Sequence, residues 1–319
     1  MNYKHKVLVT GSTGFIGRAL CEHLFEKGYS VVGSARNAGK MTGSHQYVFI
    51  ETLDASTDWS EALQNCSVVI HLAGRAHILN EKHQNVHEIH RENNTAATLN
   101  LAKQAAELGV SRFIFLSTIG INGISTNGVA FNPKDITSPH SPYAHSKLNA
   151  EIGLKSISQS SKMEAVVIRS PAVYGIGAPG NFGLIEKFIR YNIPLPFGSL
   201  KNYRSIISLE NLVMLLQICI EHKNAANQLF LVCDNEDIST PDIVRMMSKI
   251  IGKNPIIFKF PLKLLWIIFI LMGKKKAGSS LILDLQVDNR FARECLGWKP
   301  ISQKDFIFNM TQKIKKSTK

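Results

Sequence analysis

A chain of 319 residues, 45% hydrophobic and 19% charged, has the composition of a globular protein with room for one large domain or two joined ones. Its net charge of +13 is uneven: residues 274–319 alone hold 11 Lys/Arg against 4 Asp/Glu, which suits an anionic partner or surface. No arginine-rich or zinc-finger pattern points to nucleic acid, and the five scattered cysteines (Cys21, Cys66, Cys219, Cys233, Cys295) form no C-x-x-C pair, so they read as reduced thiols.

The apolar run Val7-Leu8-Val9 starts too early to leave space for a signal peptide's apolar core, and a cytoplasmic protein is expected. It enters Gly11-Ser12-Thr13-Gly14-Phe15-Ile16-Gly17, after which Phe15, Ala19, Leu20, Leu24 and Phe25 keep helical spacing up to Gly28. Strand, glycine turn and helix in this order predict dinucleotide binding. Gly11 permits a tight turn, Gly14 lets the backbone approach a pyrophosphate, and Gly17 lets the helix pack closely on the strand. Phe15 and Ile16 complete the loop at the helix N-terminus, where free N–H groups favour anions. The G-x-x-G-x-x-G spacing resembles the short-chain dehydrogenase/reductase superfamily.

A second strand over residues 29–34 ends at Ser34-Ala35-Arg36-Asn37, without the carboxylate that usually bonds the ribose hydroxyls of NAD. Arg36 can pair with a 2′-phosphate instead, which tilts the cofactor, NAD or NADP, toward NADP; the alternative is a surface arginine. A third strand over 47–50 leads to Asp54, which the superfamily resemblance implies to be the adenine contact. The fourth, over 68–72, is apolar except His71 and ends in Leu72-Ala73-Gly74, whose small residues admit a cofactor. Such uninterrupted apolar strands predict a parallel sheet covered on both faces. His83, His87 and His90 share one helical face, but the flanking residues favour a solvated polar face over a metal site, and no metal is expected. Residues 94–101 open an amphipathic helix to Leu108, and they resemble a motif of the superfamily's extended branch in which Asn94 supports the active-site strand.

Residues 112–116 form a fifth strand with Ser117 and Thr118 at its C-terminal end, where open α/β sheets place ligands. Ser117-Thr118-Ile119-Gly120-Ile121-Asn122-Gly123 resembles the extended branch's S-[ST]-x-x-V-Y-G. Thr118 is thereby implied to orient the sugar, and Asn122 stands where a tyrosine is usual. Twenty-five residues after Thr118, Tyr143-Ala144-His145-Ser146-Lys147 places a phenol and an ammonium one helical turn apart. The ammonium is expected to lower the tyrosine's pKa, so that Tyr143 exchanges a proton with an alcohol or ketone near neutral pH. The whole constellation resembles extended short-chain dehydrogenases acting on nucleotide sugars. That resemblance implies that Lys147 holds the nicotinamide ribose, Tyr143 moves the proton, and no metal takes part.

After a sixth strand over 164–169, Ala172 replaces an asparagine usual in the family, and Asn181 is the implied replacement contact to the substrate's diphosphate region. Residues 204–212 resemble a family segment whose arginine binds the pyrophosphate, which marks Arg204. Residues 264–272 are nine consecutive apolar side chains before Lys274-Lys275-Lys276, too few for the roughly 20 needed to span a bilayer. They read as a buried helix of the smaller domain or as a shallow membrane contact aided by the lysines, at the inner face of the membrane.

The expected fold is α/β: a Rossmann-type doubly wound parallel sheet, residues 1–170, with a smaller discontinuous substrate domain, mainly 171–319, from which some segments return to the sheet. The helices over 94–108 and 143–158 are the family's usual dimer surface, so a homodimer is expected. Ile119-Gly120 lacks the Asp-Glu pair of a 4,6-dehydratase. Local patterns resemble bacterial surface-polysaccharide (O-antigen) enzymes handling UDP-linked N-acetylhexosamines. Arg36 tilts the expectation to reduction of a UDP-4-keto-6-deoxy sugar, with a UDP-glucose or UDP-N-acetylglucosamine 4-epimerase that keeps NAD as the alternative. A redox sensor without catalysis is more remote, because both Tyr143 and Lys147 are present.

Overall fold

The computed structural model describes residues 5–36, 46–76 and 85–317. Seven strands form one parallel sheet in the order β3-β2-β1-β4-β5-β6-β9: β1 (Lys6–Thr10), β2 (Ser30–Ala35), β3 (Gln46–Phe49), β4 (Val68–His71), β5 (Arg112–Thr118), β6 (Glu164–Ser170) and β9 (Leu229–Leu231). The short strands β7 (Val173–Tyr174) and β8 (Ile207–Ser208) pair separately.

The continuous apolar strands divide their side chains between two cores, because successive residues point to opposite faces. Val7, Val9, Ile70, Ile114, Val166 and Ile168 pack on one face with α1 (Phe15–Glu26) and α7 (Leu209–Glu221). Leu8, Val69, Phe113, Phe115 and Val167 pack on the other, beneath α2 (Ser60–Leu63), α4 (Ala97–Glu107) and α5 (Pro142–Gln159). This is the doubly wound Rossmann arrangement expected.

The amphipathic helix expected from Asn94 onward is not uniform. It starts as α3 (Val86–His90), widens into a π-helical stretch over Arg91–Ala96, and only then becomes α4. Asn94 is buried within the π segment, a position where such bulges often serve function.

A third core joins α6 (Gly180–Arg190), α8 (Thr240–Ile251) and α12 (Gln303–Ser317) around Tyr174, Phe182, Ile185, Leu195, Phe197, Val244, Met247 and Phe306. Leu265 and, in part, Phe269 attach α9 (Leu262–Leu271) to it. Here the expectation of a buried helix fails. Leu265 is the one buried residue of α9, while Leu264, Ile267, Ile268 and Leu271 are 50%, 47%, 41% and 80% exposed. The helix is apolar all round, so its sequence cannot say which side faces the core, and it has only one neighbouring layer to bury against. It continues to α10 (Lys275–Ile282), and α11 (Arg290–Leu296) then leads to the buried Trp298.

The sheet order reverses beside β1 and β4, the crevice where ligands of such sheets bind. Gly11 there has φ +66, and a Cβ on it would lie 3.0 Å from the Ala73 amide nitrogen. Gly17 is tighter: a Cβ would lie 2.1 Å from the Gly11 carbonyl oxygen and 2.7 Å from Ser12 Cα. Both clashes are with backbone, so no rotamer change relieves them. Gly17→Ala is expected to cost at least about 2 kcal/mol in urea unfolding and to weaken dinucleotide binding in calorimetry, since relief requires α1 to lift off the loop.

Candidate active site

The loop after β1 is braced from below. Thr10 Oγ1 accepts the amides of Leu72 at 3.2 Å and Ala73 at 3.1 Å, and lies 2.7 Å from His71 Nδ1. His71 Nε2 in turn lies 3.0 Å from Thr98 Oγ1. The one polar residue of β4 is therefore a buried strut that locks two strand ends and α4 together. Burial, with Lys147 nearby, pushes its pKa down to about 3, so it is neutral.

Above the strut, α1 begins at Gly14 with no capping side chain and no acidic residue in its first turn. Such a helix end presents unpaired N–H groups and the positive end of the helix dipole. With the side-chain-free cradle of Gly11, Gly14 and Gly17, the chain fits a dinucleotide pyrophosphate. Phe15 reaches across to Gly175, where a Cβ would lie 3.1 Å from its ring. Ile16 is half-buried against the sheet core.

Arg36 is exposed at the end of β2, and the residues after it, 37–45, lie outside those described. Asp54 is half-buried after β3, and its carboxylate accepts from Ser56 N and Ser56 Oγ, both at 2.8 Å. These bonds hold its pKa below the usual carboxylate value.

Asn94 joins the β4 end to α5. Its side-chain oxygen accepts from Arg75 N at 2.7 Å, and its amide donates to Ser146 Oγ at 3.0 Å and to Arg75 O at 3.2 Å. The same amide lies 3.1 Å from His90 Nδ1. A Cβ on Gly74 would lie 3.1 Å from Asn94 Oδ1, so Leu72-Ala73-Gly74 lies directly against this hub. The histidine face needs correcting: His90 is buried and its ring meets Tyr143 edge-on at 6.1 Å, while His87 remains exposed and His83 lies outside the described residues. Among the described residues no three His, Cys, Asp or Glu converge to hold a metal.

Helix α5 starts where Ser141 caps it, accepting from Ala144 N at 3.1 Å, with Pro142 at the first helical position. Its inner face carries Ser146, Lys147, Ala150, Glu151 and Leu154, all buried. Lys147 Nζ lies 3.9 Å from the centroid of the Phe115 ring. Burial draws its pKa down to about 7, with Glu151 opposing the shift. Tyr143 is half-buried, and desolvation pushes its phenol up to about 12. The expected lowering of the phenol by its neighbour is thus absent in the protein alone, because the same burial that raises Tyr143 also removes charge from Lys147. Thr118 stands at the C-terminal end of β5, and its Oγ1 accepts from Gly120 N at 3.1 Å. Gly120 brings it to the start of α5: a Cβ there would lie 3.4 Å from Thr118 Oγ1, 3.1 Å from His140 and 3.8 Å from Ala144.

Behind this row lies a network that the motif reading missed. Arg169 on β6 pairs with Glu151 at 2.6 Å, with side chains only 5% and 6% exposed. Glu151 also accepts from Ser117 Oγ at 2.5 Å, and Arg169 donates to Asn122 Oδ1 at 2.9 Å. Asn122 is thereby turned into the interior. Glu151 falls four residues after Lys147, so helical spacing alone could have marked it.

The two residues implied to grip the substrate's phosphates meet one segment at the end of α10. Asn181 Nδ2 donates to Ser280 Oγ at 2.8 Å, and the buried Arg204 donates to Leu283 O at 2.6 Å. Burial lowers the Arg204 pKa to about 10, with Asp284 opposing.

Residues 7–233 match the model of the NAD dependent epimerase/dehydratase family. The chain belongs to that family. It is accordingly an NAD-dependent enzyme of the extended short-chain dehydrogenase/reductase type. It is 40% identical over 296 residues, 92% of this chain and 90% of the relative, to a UDP-glucose 4-epimerase of Vibrio cholerae. It is 24% identical to a dTDP-4-dehydro-6-deoxyglucose reductase of Escherichia coli, over 93% of each chain. The fold matches that of a UDP-glucose 4-epimerase of Thermotoga maritima with UDP-glucose, at TM-score 0.77 and 20% identity, covering 98% of this chain and 100% of the other.

Two measurements probe this family member's site. Glu151→Gln leaves Arg169 charged and buried without its partner, and is expected to cost about 3–5 kcal/mol in denaturant unfolding. Lys147 titrates near 7 when folded and at its ordinary 10.5 when unfolded, so the unfolded chain holds more protons in between. Wild type should therefore gain stability relative to Lys147→Met as pH rises from 7 to 10.5, with a slope of up to about 1.4 kcal/mol per pH unit. A pH-independent difference between the two proteins would contradict the depressed pKa.

Proposed function

We propose that the protein is a nucleotide-sugar 4-epimerase that keeps its NAD through turnover and acts on a UDP-hexose or UDP-N-acetylhexosamine. The observation that carries this reading is the 40% identity to a UDP-glucose 4-epimerase across nearly the full chain, in a chain that carries Thr118, Tyr143 and Lys147. It displaces the ketoreductase as the first expectation.

NAD, when bound, supplies a hydride acceptor that can return the hydride to the opposite face of the sugar ring. Gly11, Gly14 and Gly17 hold its pyrophosphate, Asp54 its adenine and Lys147 its nicotinamide ribose. Tyr143 takes the proton from the sugar's C4 hydroxyl and gives it back after inversion. It needs neighbouring positive charge to do so near neutrality, because burial raises its phenol to about 12. Lys147, half-protonated near pH 7, is placed to supply part of that charge. Thr118 orients the same oxygen, while Arg204 and Asn181 hold the diphosphate. Ile119 and Gly120 follow Thr118 where elimination of water would call for an acid pair, which argues against a dehydratase. Ile152 on α5 is 61% exposed, which suits the homodimer contact expected of this helix face.

A second reading is C4 reduction with NADPH, favoured by Arg36 in place of a ribose-binding carboxylate. Purified enzyme given UDP-N-acetylglucosamine or UDP-glucose without added cofactor is expected to form the C4 epimer, followed by proton NMR. Tyr143→Phe should slow that conversion by about 10²–10⁴-fold. No epimer, together with NADPH oxidation on a UDP-4-keto-6-deoxy sugar, would decide for the reductase.

A further inference from the structure

We propose that α9 is a docking surface for an anionic lipid bilayer, lying in the headgroup region without crossing it. Leu264, Ile267, Ile268 and Leu271 fall at i, i+3, i+4 and i+7, the spacing of one helical stripe, and all four are exposed. Ile270 and Met272 flank it at 47% and 56% exposure. A water-soluble surface rarely carries so continuous an apolar strip without a partner. The helix is ten residues, about 15 Å, long, and no helix among the described residues is long and apolar enough to cross a membrane.

Charge identifies the partner. From residue 243 to 283 there is no Asp or Glu, against eight Lys/Arg. Exposed Lys259 and Lys263 stand at one end of the helix, and exposed Lys274 and Lys275 at the other. An apolar face rimmed by lysines, in a stretch of chain without acids, matches anionic headgroups above an acyl interior. A second copy meets this face poorly, because twofold pairing brings the two lysine rims together. Leu265 and Phe269 on the inner side anchor the helix to the third core, so the exposed stripe is held outward by the fold.

The helix carries its own reporter. Of the three tryptophans, Trp59 and Trp298 are 1% exposed, and only Trp266, in α9, is partly open to solvent. Full-length protein is expected to co-sediment with vesicles of phosphatidylcholine containing about one-third phosphatidylglycerol, with a blue shift of its emission that Trp266→Phe abolishes. Binding should fall at least tenfold in Ile267→Glu/Leu271→Glu. Each of Lys274→Gln and Lys275→Gln should weaken it about fivefold at low salt. These positions are exposed and outside the catalytic site, so NAD binding should persist in every variant. Protein left in the supernatant with no emission shift overturns the proposal, as does equal binding to pure phosphatidylcholine vesicles. An Ile267→Glu/Leu271→Glu protein that instead drops to a smaller oligomer by light scattering, with no vesicle binding by wild type, assigns the face to a second copy and overturns it too.

Discussion

Glu151 and Arg169 hold opposite charges with almost no access to water, and the position of α5 on the sheet depends on that pair. Desolvating two ions is tolerable only when their geometry and remaining hydrogen bonds are both good. Ser117 and Asn122 complete those bonds, so β5, β6 and α5 meet around one polar knot. One turn before Glu151 comes Lys147, and one turn before that Tyr143. The row proposed to carry the proton chemistry is the outward continuation of a structural one. This explains how a lysine comes to lie against the Phe115 ring with its charge half removed, since the helix cannot rotate without unpairing Arg169.

The second constraint is close approach of backbone to backbone at the reversal of strand order. Gly17 sits on the Gly11 carbonyl, and Gly11 on Ala73, so α1 and the ends of β1 and β4 form one rigid mouth. Thr10, His71 and Thr98 brace it with hydrogen bonds in place of apolar packing. Asn94 then ties that mouth to α5 through Ser146. The glycine turn after β1 and the Tyr143 turn of α5 are thus joined by hydrogen bonds through Asn94.

The third core is built differently. Its helices surround Tyr174, Phe182 and Phe306, and the buried Asp234 staples it to the sheet side by accepting from Tyr174 and Asn211, each at 2.7 Å. Asn211 also exchanges two bonds with Ile301, which pins the start of the C-terminal segment. Arg204 lies beneath this layer with a carbonyl as its donor target, a cation positioned by backbone. At the outer edge α9 has only one layer to pack on, which leaves its far side apolar and open.

By itself, the sequence determined the parallel sheet and the close-packed glycine turn, and it marked Thr118, Tyr143 and Lys147 as candidates. These follow from short-range rules: apolar runs, glycines whose missing Cβ is the signal, and side chains one helical turn apart. Tertiary structure alone decided the rest. The sequence places Lys147 four residues from Tyr143, but only burial in the folded chain raises the Tyr143 pKa and lowers that of Lys147. His90 reads as solvated until the π-helical turn draws it under Tyr143. Glu151 and Arg169, far apart in sequence, acquire their meaning when β6 comes to lie beside β5. An all-apolar helix such as α9 carries no periodicity to say which face is inside. That choice belongs to the number of layers the fold provides, and here it provides one.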